Sequence, residues 1–104
     1  MAAIVVFEPG VDWTAGGGVF EWTLEYLIRH VTDAAAAERL REIVDNNLGS
    51  LWLDDFDDEA RQEILDALST GLVEEAEQDL PETDHKKPTL ENLQELAALA
   101  QSAT

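Results

Sequence analysis

The sequence predicts a mainly α-helical protein, namely a small antiparallel bundle of about four helices with a short N-terminal strand or extended arm. Its length of 104 residues suits one domain with one modest core, so residues 1–104 are expected to form a single domain. Hydrophobic residues make up 45% of the chain, which is a folded protein's share and exceeds that of a disordered acidic segment. From residue 19 onward, apolar residues recur three and four positions apart, the spacing of amphipathic helices.

Residues 1–10 form the predicted strand or arm. The β-branched residues Ile4, Val5 and Val6 favour extended backbone, and the proline and glycine at positions 9 and 10 stop it. A lone strand leaves its backbone groups unpaired, so it needs a neighbour. Either residues 50–53 of the same chain supply one, or residues 2–8 pair with a second copy and form a homodimer.

The first two helices are predicted from the helical spacing of their apolar residues and from residue types that are typical of helix ends. One runs from Val19 to about Val31, and Thr32 or Asp33 can cap the next. The second helix is expected to end before Gly49, which suits the left-handed backbone that follows many helices. The inward faces of these two helices comprise Phe20, Leu24, Leu27, Ile28, Val31, Ala36, Ala37, Leu40, Ile43, Val44 and Leu48.

The third helix is predicted to begin within the acidic run 54–59, whose carboxylates favour the positive end of a helix. After Gly71 the apolar positions rotate by about a quarter turn at ~100° per residue, so we expect a kink or break there, and Pro81 ends the helix. The polar residues 81–88 read as a surface loop, and Thr89 can cap a last helix. The inward positions of these segments are Ala60, Ile64, Leu65, Leu68, Leu72, Val73, Ala76, Leu80, Leu90, Leu93, Leu96, Ala97 and Ala100.

Charge restricts the class of partner. With 23 acidic residues against 6 basic ones, the net charge is −17 at pH 7. DNA, RNA and anionic lipid repel such a surface, so we expect neither nucleic acid nor membrane as a partner. A basic protein is the partner that this field attracts. The alternative is a structural or oligomerising protein whose acidity serves only solubility.

The composition favours the cytoplasm. The chain has no cysteine, so it has no disulfide that would indicate an oxidising compartment. The first residues lack the basic segment of a signal peptide. The apolar runs are a few residues long, against roughly 20 for a membrane span.

Motifs of catalysis and metal binding are not found. An EF-hand alignment over 55–66 fails because Ala60 replaces the turn glycine and Asp66 replaces the last glutamate. His30 and His85 lack ligand spacing, and no serine lies in a GxSxG motif. We therefore expect no enzyme activity, no metal and no cofactor.

The acidic residues concentrate in one segment. Residues 54–84 hold 13 acids against Arg61 alone. Like charges one turn apart repel each other, so such a concentration suggests a docking use. At helical spacing the predicted acidic stripe comprises Glu59, Glu63, Asp66, Thr70, Glu74 and Glu77.

Three tryptophans accompany these acids. Trp13 follows Asp12 in a predicted loop, and Trp52 precedes Asp54, so both are predicted as apolar anchors within a charged rim. Trp22 is predicted to pack in the core.

These patterns together predict a protein-binding module, an inhibitor or an adaptor, that docks a basic partner through an acidic helix face. In charge and size the chain resembles bacterial toxin-immunity proteins, and this resemblance implies an inhibitor that covers the nucleic-acid groove of a basic nuclease. The predicted partner-binding residues are Glu59, Glu63, Asp66, Glu74, Glu77, Trp13 and Trp52.

Overall fold

The computed structural model describes residues 2–103, a mainly helical chain that also contains a small sheet. Within these residues there are five α-helices and three strands, so the predicted four-helix bundle with one strand is only roughly correct. Met1 and Thr104, the ends of the predicted domain, lie outside the described residues. The elements are β1 Ala2–Glu8, β2 Val11–Gly16, α1 Gly17–His30, α2 Ala34–Asp45, β3 Ser50–Trp52, a 3₁₀ turn Leu53–Asp55, α3 Asp58–Ser69, α4 Leu72–Asp79 and α5 Lys86–Ala103.

Strand β1 lies in the centre of the sheet, whose order is β2-β1-β3. It pairs antiparallel with β2 and parallel with β3, placing Val5 beside both Trp13 and Leu51. Pairing with residues 50–53 of the same chain, one of the two predicted alternatives, is thereby confirmed. Because residues 4–6 of β1 are paired on both sides within the chain, this central part of the strand offers no free edge to a second copy in this arrangement.

The β1–β2 hairpin was missed by the sequence prediction, which treated Pro9 and Gly10 as the end of an isolated strand. Gly10 has φ of 87°, a left-handed conformation that lets the chain reverse between Glu8 and Val11. The available signal was the alternation of 11–16, where every second residue faces the core.

The core lies between one face of the sheet and the helices. Val5, Phe7 and Leu51 project from the strands and are fully buried, since strand neighbours alternate between faces. They join the apolar faces of the helices in one cluster. Fully buried helical members of this cluster are Leu24, Leu27, Leu40, Ile64, Leu68, Ala76, Leu93, Leu96 and Ala100.

Helix α2 begins as predicted and ends early. The Asp33 carboxylate caps it by accepting a hydrogen bond from the Ala36 N–H at 3.0 Å. The helix stops at Asp45, and Asn47 then has φ of 51°. Leu48 therefore leaves the helical face and is 50% exposed, so its predicted inward position is wrong.

The predicted break after α3 is confirmed. Thr70 is extended, and Gly71 has φ of 85°, so the two helices do not share one axis. Alanine would be strained at that φ, so glycine suits the left-handed backbone conformation at the break.

Helix α5 begins at Lys86, so the predicted loop 81–88 is too long at its C-terminal end. Pro88 lies in the first turn of the helix, where a residue without an N–H leaves no hydrogen bond unmade. Thr89, the predicted cap, lies inside the helix, and its N–H donates to the His85 carbonyl at 3.1 Å.

Candidate functional site: an acidic cleft

An open cleft of about 640 Å³ lies between the end of α1 and the junction of α3 with α4. Four carboxylates reach it from the two sides of the Gly71 break. Its lining residues are Tyr26, His30, Glu63, Asp66, Ala67, Thr70, Gly71, Glu74, Glu75 and Gln78.

Tyr26 forms the floor where α1 meets this junction. Its hydroxyl donates to the Ala67 carbonyl at 2.7 Å and lies 3.1 Å from the Thr70 carbonyl. These are carbonyls of the last turn of α3, which lack helical partners. The His30 ring centre lies 4.4 Å from that of Tyr26. The buried phenol therefore fixes α1 against the end of α3.

Burial, together with the smaller effect of the nearby Glu75 carboxylate and against the opposing effect of Arg29, raises the pKa of Tyr26 to about 12. Since the ordinary value is 10.0, the phenol's contribution to stability is complete below about pH 10 and is lost as the pH rises toward 12.

Spectrophotometric titration checks this shift because the chain has one tyrosine. Phenolate absorbance of the folded protein near 295 nm is expected to rise about two pH units later than that of the urea-unfolded protein, whose midpoint lies near 10. Circular dichroism at each pH reports whether the chain is still folded. Coincident midpoints while the chain stays folded would show that the hydroxyl is solvated.

Glu75 connects α4 to the last turn of α1. One of its carboxylate oxygens lies 2.6 Å from Arg29 Nη2, and the other lies 2.9 Å from His30 Nε2. Partial burial raises the pKa of Glu75, but the hydrogen bonds to His30 and Arg29 outweigh that effect and hold it below the ordinary value. This carboxylate is thus already paired with two basic groups of the same chain.

Glu63 fixes the start of α2. Its carboxylate accepts hydrogen bonds from the Thr32 hydroxyl at 2.6 Å, the Thr32 N–H at 2.8 Å and the Asp33 N–H at 3.2 Å. The hydroxyl hydrogen bond, followed by those of the Asp33 and Thr32 N–H groups, lowers the pKa of Glu63. Both carboxylate oxygens of Glu63 therefore already accept hydrogen bonds from the same chain.

Asp66 and Glu74 differ from these two residues. Both are exposed, and neither is ion-paired with a basic side chain within residues 2–103. Asp66 accepts one hydrogen bond, from Gln62 Nε2 at 2.9 Å. These two carboxylates are the uncompensated negative charges of the cleft.

Four predicted stripe residues, Glu63, Asp66, Thr70 and Glu74, meet in the cleft. Glu59, in the first turn of α3, and Glu77, on α4, do not line it. The break at Gly71 divides the predicted stripe between the axes of α3 and α4. The stripe therefore does not run as one continuous ridge.

Sequence reasoning missed Tyr26, His30 and Glu75 as cleft residues. His30 and Glu75 lie 45 positions apart, and their contact depends on how α1 packs against α4. The available signal was the pair Arg29 and His30 in the last turn of α1. Basic groups there are favoured by the negative end of the helix dipole and can also pair with an acid.

The tryptophan predictions have different outcomes. Trp13 is 3% exposed in β2, and its indole N–H donates to the Asn92 carbonyl at 2.8 Å, so its prediction as an exposed anchor is wrong. Trp52 is 47% exposed. Trp22 is half-buried against the core, and its indole N–H donates to Asp79 at 2.8 Å.

Within the described chain, no three histidine, cysteine, aspartate or glutamate side chains lie close enough to hold a metal ion. None of the helices over 2–103 combines the length and apolar character needed to cross a membrane. The chemistry available in the cleft is electrostatic attraction and hydrogen bonding to a cationic group.

The fold and this cleft define a mainly helical protein with a small mixed sheet and an acidic surface site. Comparisons of the chain with protein-family models, curated proteins and solved structures give no match.

Proposed function

We propose that this chain is a protein-binding module that docks a basic partner protein in the acidic cleft. The observation that carries the proposal is the contrast within the cleft: Glu63 and Glu75 are each held by two or more groups of the same chain, whereas Asp66 and Glu74 are exposed and form no ion pair within the described residues. A lysine or arginine of a partner would neutralise that charge.

The shape of the site supports the same function. Tyr26 and the Glu75 ion pairs join α1 to α3 and α4, so the cleft walls are held in place before a partner arrives. A preformed site loses less conformational entropy on binding. The net charge of −17 adds long-range attraction that raises the encounter rate with a basic protein at low salt.

Within this class, an inhibitor that covers a basic groove is favoured over an adaptor, since a groove built for a polyanion carries the positive charge that complements the cleft. Such a protein acts by occlusion and needs no catalytic residue of its own. We propose the cytoplasm as its location and an enzyme with a basic active site as its partner.

An affinity capture from native lysate tests the proposal. The tagged protein is expected to retain a basic protein at low salt and to release it at high salt, because salt screens exposed charges. Two further baits have equal net charge. Asp66→Asn with Glu74→Gln alters the cleft, and Glu91→Gln with Glu95→Gln alters exposed acids of α5.

The retained protein should be lost with the cleft bait and kept with the α5 bait. Equal retention by the two altered baits would show that net charge, and not the cleft, holds the protein. Retention of no basic protein by the unaltered chain at either salt concentration would contradict the proposal outright.

A further inference from the structure

The outer face of the sheet carries a short apolar strip, Val6 and Trp52, of which Trp52 is exposed. Val5, Phe7 and Leu51 face the helices, so alternation turns Val6 and Trp52 to the opposite face. Val6 and Trp52 are register partners on adjacent strands. Val6 is only 8% exposed although it lies outside the core cluster, whereas Trp52 is 47% exposed.

Two carboxylates flank this strip. Asp12 is the register partner of Val6 on β2, so it shares the outer face and lies two strands, roughly 10 Å, from Trp52. Asp54 follows two residues after Trp52. Both are exposed, and neither pairs with a basic side chain anywhere in 2–103, unlike Asp55, which lies 3.6 Å from Arg39.

We propose that this outer face is a second contact surface for the basic partner, with an arginine side chain stacked on the indole of Trp52 and Asp12 and Asp54 sharing its charge. The proposal rests on the proposed function in one respect, that the partner is basic. It adds a separate surface and a preferred residue, arginine, since the planar guanidinium stacks on an indole and its charge is attracted by the two nearby carboxylates.

Charge decides between the possible occupants of this face. A second copy of the chain would bring another −17 against Asp12 and Asp54, which opposes self-association. A nucleic acid or an anionic lipid surface meets the same repulsion. A basic segment complements both the flanking acids and the π face of the indole.

NMR titration with a hexa-arginine peptide tests the inference, using the whole chain labelled with ¹⁵N. The three tryptophans give three indole N–H signals, and that of Trp13, which is hydrogen-bonded and buried, serves as the internal reference. The Trp52 indole signal is expected to shift and saturate with added peptide, and that of Trp13 is expected to stay in place.

Variants at position 52 separate stacking from general charge attraction. Trp52→Leu keeps apolar area and removes the ring, and it is expected to weaken hexa-arginine binding by about two- to five-fold. Trp52→Phe keeps a ring and is expected to retain most of the affinity. A hexa-lysine peptide is expected to discriminate less between these two variants. Thermal melting confirms that each variant is folded.

The outcomes distinguish this inference from the proposed function. Shifts of amides near Asp66 and Glu74 with a stationary Trp52 indole would overturn the inference and leave the cleft proposal standing. A Trp52 shift without cleft shifts would support the inference and count against the cleft. Equal affinities of the leucine and phenylalanine variants would overturn arginine stacking, and light scattering that shows a dimer lost in Trp52→Leu would assign the face to a second copy.

Discussion

Reversing the charge of Asp66 and Glu74 to lysine is expected to weaken binding of a dodecalysine peptide by about ten-fold or more at low salt. The reason is local. Asp66 and Glu74 are exposed cleft carboxylates that no basic side chain of residues 2–103 neutralises, and lysines there would place like charges against the peptide. Calorimetric titration at two salt concentrations measures the effect, and the loss should shrink at high salt.

The matched control reverses Glu91 and Glu95, two exposed acids of α5 that do not line the cleft. Replacing one acid by lysine makes the net charge more positive by two, so both double variants change the net charge from −17 to −13. The control is expected to lose only the small share of affinity that follows net charge. Equal losses in the two double variants would locate binding in the overall field and would contradict a cleft site.

Replacing Trp13 with alanine is expected to lower the free energy of unfolding by about 3–5 kcal/mol. The indole is 3% exposed, so its removal leaves a cavity beneath the sheet. Its hydrogen bond to the Asn92 carbonyl, which ties β2 to α5, is lost as well. Because small domains are stable by only about 5–15 kcal/mol, this one change removes a large part of the total, and urea denaturation measures it.

Trp52→Ala is the comparison for Trp13→Ala, since both delete an indole from the sheet. Trp52 is 47% exposed, and we expect a loss below about 1 kcal/mol. The ratio of the two losses thus reports which tryptophan belongs to the core. Similar losses in the two variants would contradict the burial of Trp13.

The helices could be predicted from the sequence because apolar spacing and capping residues depend only on positions close together in the chain. Apolar residues at helical spacing predicted about four helices, the Asp33 cap is formed, and the break at Gly71, which divides the third predicted helix into α3 and α4, followed from the rotation of the apolar positions. The prediction was wrong where a local signal was ambiguous. Leu48 fits the helical spacing of the apolar residues of α2, although it lies beyond the end of that helix. Pro88 suggested a loop, although the first turn of a helix accepts proline.

The cleft could be predicted only in part from the sequence. The spacing of Glu63, Asp66 and Glu74 placed them on related helix faces, and the structure brings them together. Whether each charge is available to a partner depended on contacts that are distant in sequence. Glu63 meets Thr32, and Glu75 meets Arg29 and His30, because α1 and the start of α2 pack against α3 and α4.

The sequence by itself determined the acidity of the surface, the helical class and the positions of the helix ends that carry caps, because each depends on composition or on residues within a few positions of one another. The tertiary structure alone decided that β1 is the central strand, that Trp13 is buried while Trp52 is exposed, and that Asp66 and Glu74 are the exposed carboxylates of the cleft. These properties arise from which surfaces meet when the sheet packs against the helices, and neither residue type nor spacing along the chain specifies that pairing.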